Sequence, residues 1–193
     1  MSGMLYAIGT GPGSSDLITV RAARQLANLD VLYAPAGRRG GDSLALSIVR
    51  EYLTDHVVIK EQHFPMSTHG DEKESIWDQV ANDMKQDVLA GKQVGFITLG
   101  DAMLFSTWVF LLARLQGEIP IEIIPGVTSF AAIAARSKTP LAMEQQSLAV
   151  ISCTAPETEI EQALRQHESL VLMKVYGRFP RIKALLAKNG LLD

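Results

Sequence analysis

Met4-Leu5-Tyr6-Ala7-Ile8-Gly9-Thr10-Gly11-Pro12-Gly13 is followed from Thr19 by Val20, Ala23, Leu26 and Ala27 at helical spacing. An apolar run that ends in glycines and then passes into a 3.6-residue period reads as strand, turn and helix. The unit recurs downstream. Val31 to Ala34 predicts a second buried strand, and Pro35 with Gly37, Gly40 and Gly41 marks a loop before a helix from Asp42 or Ser43 to Leu53. His56 to Glu61 is strand-like. Glu72 to Ala90 predicts a long amphipathic helix stopped by Gly91, and Gln93 to Leu99 a strand ending in Gly100-Asp101. Four βα units therefore precede residue 117.

Gly117 to Pro120 interrupts this alternation with turn residues and is read as a linker between domains 1–116 and 121–193. Beyond it the pattern predicts a strand at Ile121 to Ile124, a helix after Pro125-Gly126, a strand at Ser147 to Cys153 and a helix from Pro156 to His167. A strand at Ser169 to Val175 and a closing helix to Asn189 complete the chain. Strands alternating with helices imply mostly parallel sheets covered on both faces, so the expected class is α/β with two lobes.

Composition limits what such a protein does. With 193 residues, 47% hydrophobic and 20% charged, the chain can bury one large core or two small ones. Its longest apolar, uncharged stretches, Ala102 to Ala113 and Ile123 to Ala135, fall short of the roughly 20 residues that cross a bilayer. The first residues carry no basic n-region, and Gly11-Pro12-Gly13 breaks any apolar h-region, so the expected location is the cytoplasm. A single cysteine, Cys153, excludes an internal disulfide or a thiolate metal cluster. A formal charge of −3 argues against general nucleic-acid or anionic-membrane binding, leaving anion recognition to local groups.

Gly9-Thr10-Gly11-Pro12-Gly13 sits where a dinucleotide fingerprint would sit. Position 14 is Ser, however, and no acidic residue closes the second strand, so a Rossmann dinucleotide site is not expected. The missing Lys-Ser/Thr excludes a P-loop as well. What remains is a strand-to-helix turn in which glycine permits positive φ and close backbone approach while Pro12 stiffens the loop. Such a turn either reverses the chain or holds a ligand, and open α/β sheets bind ligands at the carboxyl ends of their strands. Two further segments lie at such ends: Leu99-Gly100-Asp101-Ala102-Met103-Leu104-Phe105-Ser106-Thr107 and Pro125-Gly126-Val127-Thr128-Ser129-Phe130. Asp101 is equally readable as a cap of the next helix.

His56, His63, His69 and His167 lack metal-ligand spacing, so no metal site is expected. Ser15, Ser43 and Ser106 lack a nucleophile-elbow context. Arg38 and Arg39, the only adjacent arginines, are either a solvated loop charge or a grip for carboxylates. Trp77 and Trp108 fall in helical patterns and are expected in a core or at a contact between lobes.

Taken in order, Gly-x-Gly-Pro-Gly with Ile18-Thr19, then Gly100-Asp101, then Pro125-Gly126-Val127-Thr128-Ser129-Phe130 resembles the tetrapyrrole methylase family over nearly the whole chain. Within it, the loop Pro35 to Ala45, the triplet Phe64-Pro65-Met66 and Phe105-Ser106-Thr107 resemble the branch that methylates precorrin-2 at C20 in corrin biosynthesis. The resemblance implies S-adenosylmethionine bent into a cleft between two α/β lobes, and a homodimer. By position it places Pro12, Gly100, Asp101, Leu104, Thr128, Ser129 and Lys174 around the cofactor, many of them through backbone. It places the tetrapyrrole, precorrin-2 or cobalt-precorrin-2, over the N-terminal lobe near Gly11, Gly13, Arg38 and Arg39.

No catalytic residue is singled out. A sulfonium methyl is already electrophilic and the meso carbon of a reduced tetrapyrrole is enamine-like, so alignment and exclusion of water suffice. The sequence departs from the family pattern where Ser14-Ser15 follows Gly13, and where Ala102 follows Asp101 with Phe105 in the tyrosine position. No role therefore rests on a carboxylate at 14 or a hydroxyl at 105. The second lobe is expected to be incomplete, because the family pattern supplies further strands. Apolar segments Trp108 to Leu112 and Phe130 to Ala134 also point to a dimer. Other readings of the same residues are a family methyltransferase with a different substrate, or a ligand-binding homologue without catalysis.

Overall fold

A helix separates each strand from the next. In chain order the elements are β1 (Met4–Gly9), α1 (Val20–Leu26), β2 (Val31–Pro35), α2 (Leu44–Val49), β3 (Val58–Gln62), α3 (Asp71–Leu89), β4 (Gln93–Thr98) and α4 (Trp108–Leu115). They continue with β5 (Ile121–Ile124), α5 (Ser129–Ser137), β6 (Leu148–Ser152), α6 (Glu157–Gln166), β7 (Ser169–Met173) and α7 (Phe179–Lys188). The computed structural model describes residues 2–36, 43–64 and 70–192. The chain divides into two compact units, Met1–Ser129 and Phe130–Asp193.

The first unit is built on a five-stranded sheet of order β3-β2-β4-β1-β5, and every pairing in it is parallel. Parallel neighbours need long crossovers, which the helices supply. Successive strand residues point to opposite faces, and the sequence uses this period. On one face Leu5, Ala7, Val31, Tyr33, Val94 and Phe96 meet Trp77, Val80 and Met84 of α3 and Trp108 and Leu111 of α4. On the other, Ile8, Leu32, Ala34, Ile97 and Ile124 meet Leu26 of α1 and Leu46 and Val49 of α2. Each buried Val, Leu, Ile, Phe or Met among them contributes about 1.5 to 3 kcal/mol by leaving water. Trp77 and Trp108 are thus core residues, as the sequence expected.

Local chemistry sets the helix starts. The Thr19 hydroxyl accepts from Ala22 N at the head of α1, at 3.1 Å, and Ser43 Oγ accepts from Leu46 N at the head of α2, at 3.3 Å. Asp71, Glu72 and Glu74 stand in the first turn of α3, where negative charge meets the positive end of the helix dipole.

One polar cluster sits in the α3 face of the sheet. Tyr33 Oη donates to Asp87 Oδ2 at 2.7 Å, and Lys60 and Lys92 donate to the same carboxylate at 2.7 and 2.8 Å. Tyr33 and Lys60 are register partners on β2 and β3, so the cluster ties the edge of the sheet to the end of α3. Burial alone would raise the Asp87 pKa, but hydrogen bonds from Lys60, Lys92 and Tyr33 outweigh it and hold the group at about 2.

The strand expected at His56 to Glu61 is found two residues later, because Asp55 and His56 form a turn and Val58 is the first residue to bond across, to Asp30 O at 2.9 Å. The domain boundary moves further. Gly117 to Pro120, read as a linker, is a tight turn inside the first unit, and β5 pairs with β1 from Leu5↔Ile121 to Ile8↔Ile124. Ile121 to Ile124 therefore completes the first sheet instead of opening a second lobe. In the second unit β6 and β7 form a two-stranded parallel sheet. Its core is Cys153 with Ile160 of α6 and Ile182 and Leu185 of α7. Among the described residues no helix is long and apolar enough to cross a membrane.

Candidate functional site

β1, β4 and β5 are adjacent, with Gly9 opposite Thr98 and Ile8 opposite Ile124, so the turns that follow them leave the same edge of the sheet. Their backbones then lock together. Gly11 N donates to Gly100 O at 3.2 Å and Gly100 N to Gly11 O at 2.8 Å, an isolated antiparallel bridge beyond the parallel strands. The third turn closes against this bridge so tightly that a Cβ on Gly126 would lie 2.0 Å from Gly100 O. No side chain fits there. At Gly100 the constraint is different: φ is +64°, the left-handed region, and a Cβ would meet nothing within 4 Å. Backbone is thus presented to open space at the tip of β4.

Asp101 fixes the arrangement. Its Oδ1 accepts from Gly126 N and its Oδ2 from Met103 N, both at 2.9 Å. The reading of Asp101 as a cap of the following helix gives way, since α4 begins only at Trp108 behind Thr107. Instead the carboxylate clips the turn after β4 to the turn after β5. With each oxygen engaged by a backbone N–H, Asp101 orients structure.

A layer of hydroxyls lies beneath. Buried Thr10 donates through Oγ1 to Thr98 O at 3.0 Å, and Thr98 Oγ1 pairs with Ser106 Oγ at 3.1 Å. Ser106 Oγ also accepts from Trp108 N at 3.1 Å, which ties the loop to α4. Further out, Tyr52 Oη donates to Ser15 O at 2.6 Å, holding the turn after Gly13 against the segment that follows α2. Thr10, Thr98 and Tyr52 belong to no catalytic motif in the sequence, and Ser106 lacks a nucleophile-elbow context there. The available signal was a polar residue closing an otherwise apolar strand, Thr98 after Phe96-Ile97 and Thr10 after Ile8-Gly9.

Of the residues expected around a cofactor, Pro12, Gly100, Asp101, Leu104, Thr128 and Ser129 all stand on these three turns. Leu104 is half-buried and its N–H points back to Asp101 O at 3.4 Å, while half-buried Thr128 and Ser129 lead into α5. Lys174 belongs to the second unit, where it follows β7, exposed and with φ +58°. Of those expected to meet the substrate, Gly11 is buried in the bridge and Gly13 exposed, whereas Arg38 and Arg39 lie outside the described residues. Pro65 and Met66 do too. Phe64 does not face a ligand: it is buried and stacked on Trp77 with ring centroids 5.4 Å apart. The open backbone at Gly100, the apolar Leu104 and the hydroxyls of Thr128 and Ser129 fit a cofactor with an apolar ring system and polar ends.

Comparison with known proteins adds to this geometry. The profile of the Tetrapyrrole (Corrin/Porphyrin) Methylases matches residues 4–193. The cobalt-precorrin-2 C(20)-methyltransferase of Salmonella typhimurium (strain LT2) is 70% identical over 193 residues, covering 100% of this chain and 81% of that protein. The precorrin-2 C(20)-methyltransferase of Sinorhizobium sp is 30% identical over 201 residues, covering 99% of this chain and 81% of that protein. Among solved structures, a cobalt precorrin-4 methyltransferase superposes with a TM-score of 0.77 at 24% identity, over 98% of this chain and 76% of that one.

Proposed function

Because the chain belongs to the tetrapyrrole (corrin/porphyrin) methylase family, we propose that it is an S-adenosylmethionine-dependent methyltransferase that methylates C20 of cobalt-precorrin-2 in cobalamin biosynthesis. The observation that carries this reading is the 70% identity, along the full chain, to an enzyme named for that reaction. The clipped turns at the carboxyl ends of β1, β4 and β5 support it, since they supply a preformed backbone surface where parallel sheets bind ligands.

In this reading Pro12, Gly100, Asp101, Leu104, Thr128, Ser129 and Lys174 hold the cofactor, which when bound supplies an electrophilic sulfonium methyl. Gly11 and Gly100 set the floor through their mutual bridge, and Asp101 holds the turns after β4 and β5 in register. The Thr10, Thr98 and Ser106 hydroxyls keep that floor rigid, which limits the disorder with which carbon and methyl meet. Arg38, Arg39, Gly11 and Gly13 receive the acidic edge of the macrocycle, the arginines by charge-assisted pairing with its carboxylates. C20 gives up its proton as the new carbon–carbon bond forms, and water or a substrate carboxylate accepts it.

The same reading carries a cytoplasmic homodimer. Trp108 and Leu111 are consumed in the monomer's core, so the first of the two apolar segments no longer argues for association. The second does: α5 has no fully buried residue, and Ile133 is 66% exposed. Light scattering at micromolar concentration is expected to give twice the chain mass, and a monomer would remove this part.

The test of the activity is incubation with cobalt-precorrin-2 or its metal-free form and S-adenosylmethionine, followed by mass spectrometry. The expected product is cobalt-precorrin-2 heavier by one methyl in place of hydrogen, with S-adenosylhomocysteine formed in equal amount. Transfer to neither tetrapyrrole would contradict the proposal, and transfer to the metal-free form alone would move the substrate to precorrin-2.

A further inference from the structure

We propose that the phenyl ring of Phe105 is a substrate-binding surface that lies against the flat face of the tetrapyrrole. This rests on the substrate reading above. Phe105 stands between two anchored neighbours on the loop after β4. On one side Leu104 N points to Asp101 O, and on the other Ser106 Oγ is paired with Thr98 Oγ1 and bonded by Trp108 N. The intervening backbone takes φ +49°, a left-handed conformation that a bulky residue adopts only under constraint from its surroundings. The strained turn leaves Phe105 42% exposed, although a large aromatic normally gains most by leaving water.

The neighbours share this habit. Leu99 is 45% and Met103 52% exposed, so the loop carries several apolar side chains in the open around the polar Gly100-Asp101 pair. Elsewhere in the same unit Trp77, Phe96 and Trp108 are fully buried, and Phe64 and Phe110 pack against Trp77. An exposed apolar loop beside a preformed polar floor suits a ligand with a broad conjugated face and acidic edges, which describes a tetrapyrrole. A ring held by a rigid loop also loses little freedom when it stacks. The aromatic surface, not a hydroxyl, is what position 105 contributes.

The experiment compares wild type with Phe105→Ala, Phe105→Leu and Phe105→Tyr. Tetrapyrrole binding is followed by visible-absorption titration without cofactor, S-adenosylhomocysteine binding by calorimetry, and steady-state KM separately for each substrate. Phe105→Ala is expected to weaken tetrapyrrole binding about tenfold and to raise its KM alike, with S-adenosylhomocysteine affinity unchanged. Phe105→Tyr is expected to stay within about twofold of wild type and Phe105→Leu to fall between. The proposal is overturned if Phe105→Ala leaves tetrapyrrole affinity unchanged, if Phe105→Tyr is as weak as Phe105→Ala, or if both ligands weaken together. Wild type that binds S-adenosylhomocysteine but no tetrapyrrole would overturn the substrate reading and this inference together. Intact tetrapyrrole binding in Phe105→Ala removes the inference alone.

Discussion

Asp101 accepts two backbone N–H groups from two different turns, and no neutral side chain of the same length can do both. In Asp101→Asn the amide nitrogen faces one of those donors, so a charge-assisted bond worth about 1.5 to 3 kcal/mol is replaced by two opposed donors. The expected outcome is a melting temperature lower by several degrees, together with weaker S-adenosylhomocysteine binding in calorimetry. Unchanged binding with unchanged stability would mean that the clip does not organise the turns. The sequence pointed to Asp101 for its place after a strand, yet the cap reading was equally open there. What decided between them, the approach of Gly126 N from 25 positions away, is a long-range contact that local sequence does not encode. The same holds for Thr98 and Ser106, whose pairing follows from how the loop returns to the strand end. Gly100 was legible for the opposite reason, since left-handed backbone at a strand end selects glycine directly.

Strands and helices followed their periodicity closely, because burial on both faces of a parallel sheet demands continuous apolar runs and the covering helices demand a 3.6-residue pattern. β5 was found where expected but in another sheet. It is short and follows a glycine turn, and which edge it joins depends on its register with Leu5 to Ile8 and not on its own residues. Lys60 is a related case. A lysine at the middle of a strand reads as an edge charge, whereas here it reaches the Asp87 carboxylate and, with Tyr33, binds β3 and β2 to α3. This cluster has a pH signature. Asp87 titrates at about 2 in the folded protein against an ordinary 3.8, so the stability it contributes is complete above roughly pH 5 and is lost as the pH falls toward 2. Equilibrium denaturation is expected to show Asp87→Asn less stable than wild type by roughly 2 kcal/mol at neutral pH, with the difference closing on acidification. A difference that stays constant from pH 7 to pH 2 would show that the carboxylate's charge is not the cause.

The two units differ in how much they bury. The first packs helices on both faces of five strands, whereas the second covers its two strands around Cys153, Ile160, Ile182 and Leu185. Local opening is easiest where few apolar contacts must be broken. Hydrogen exchange is therefore expected to be slowest in β1, β2 and β4 and faster throughout β6 and β7. Equal protection in the two sheets would contradict this ranking. Activity of the whole chain is decided by where the methyl group arrives. With S-adenosylmethionine carrying a 13C-labelled methyl and cobalt-precorrin-2 as acceptor, NMR of the isolated product locates the new carbon–carbon bond. A single labelled methyl on C20 is the predicted result, and label on any other ring carbon, or none transferred by the folded protein, would contradict it.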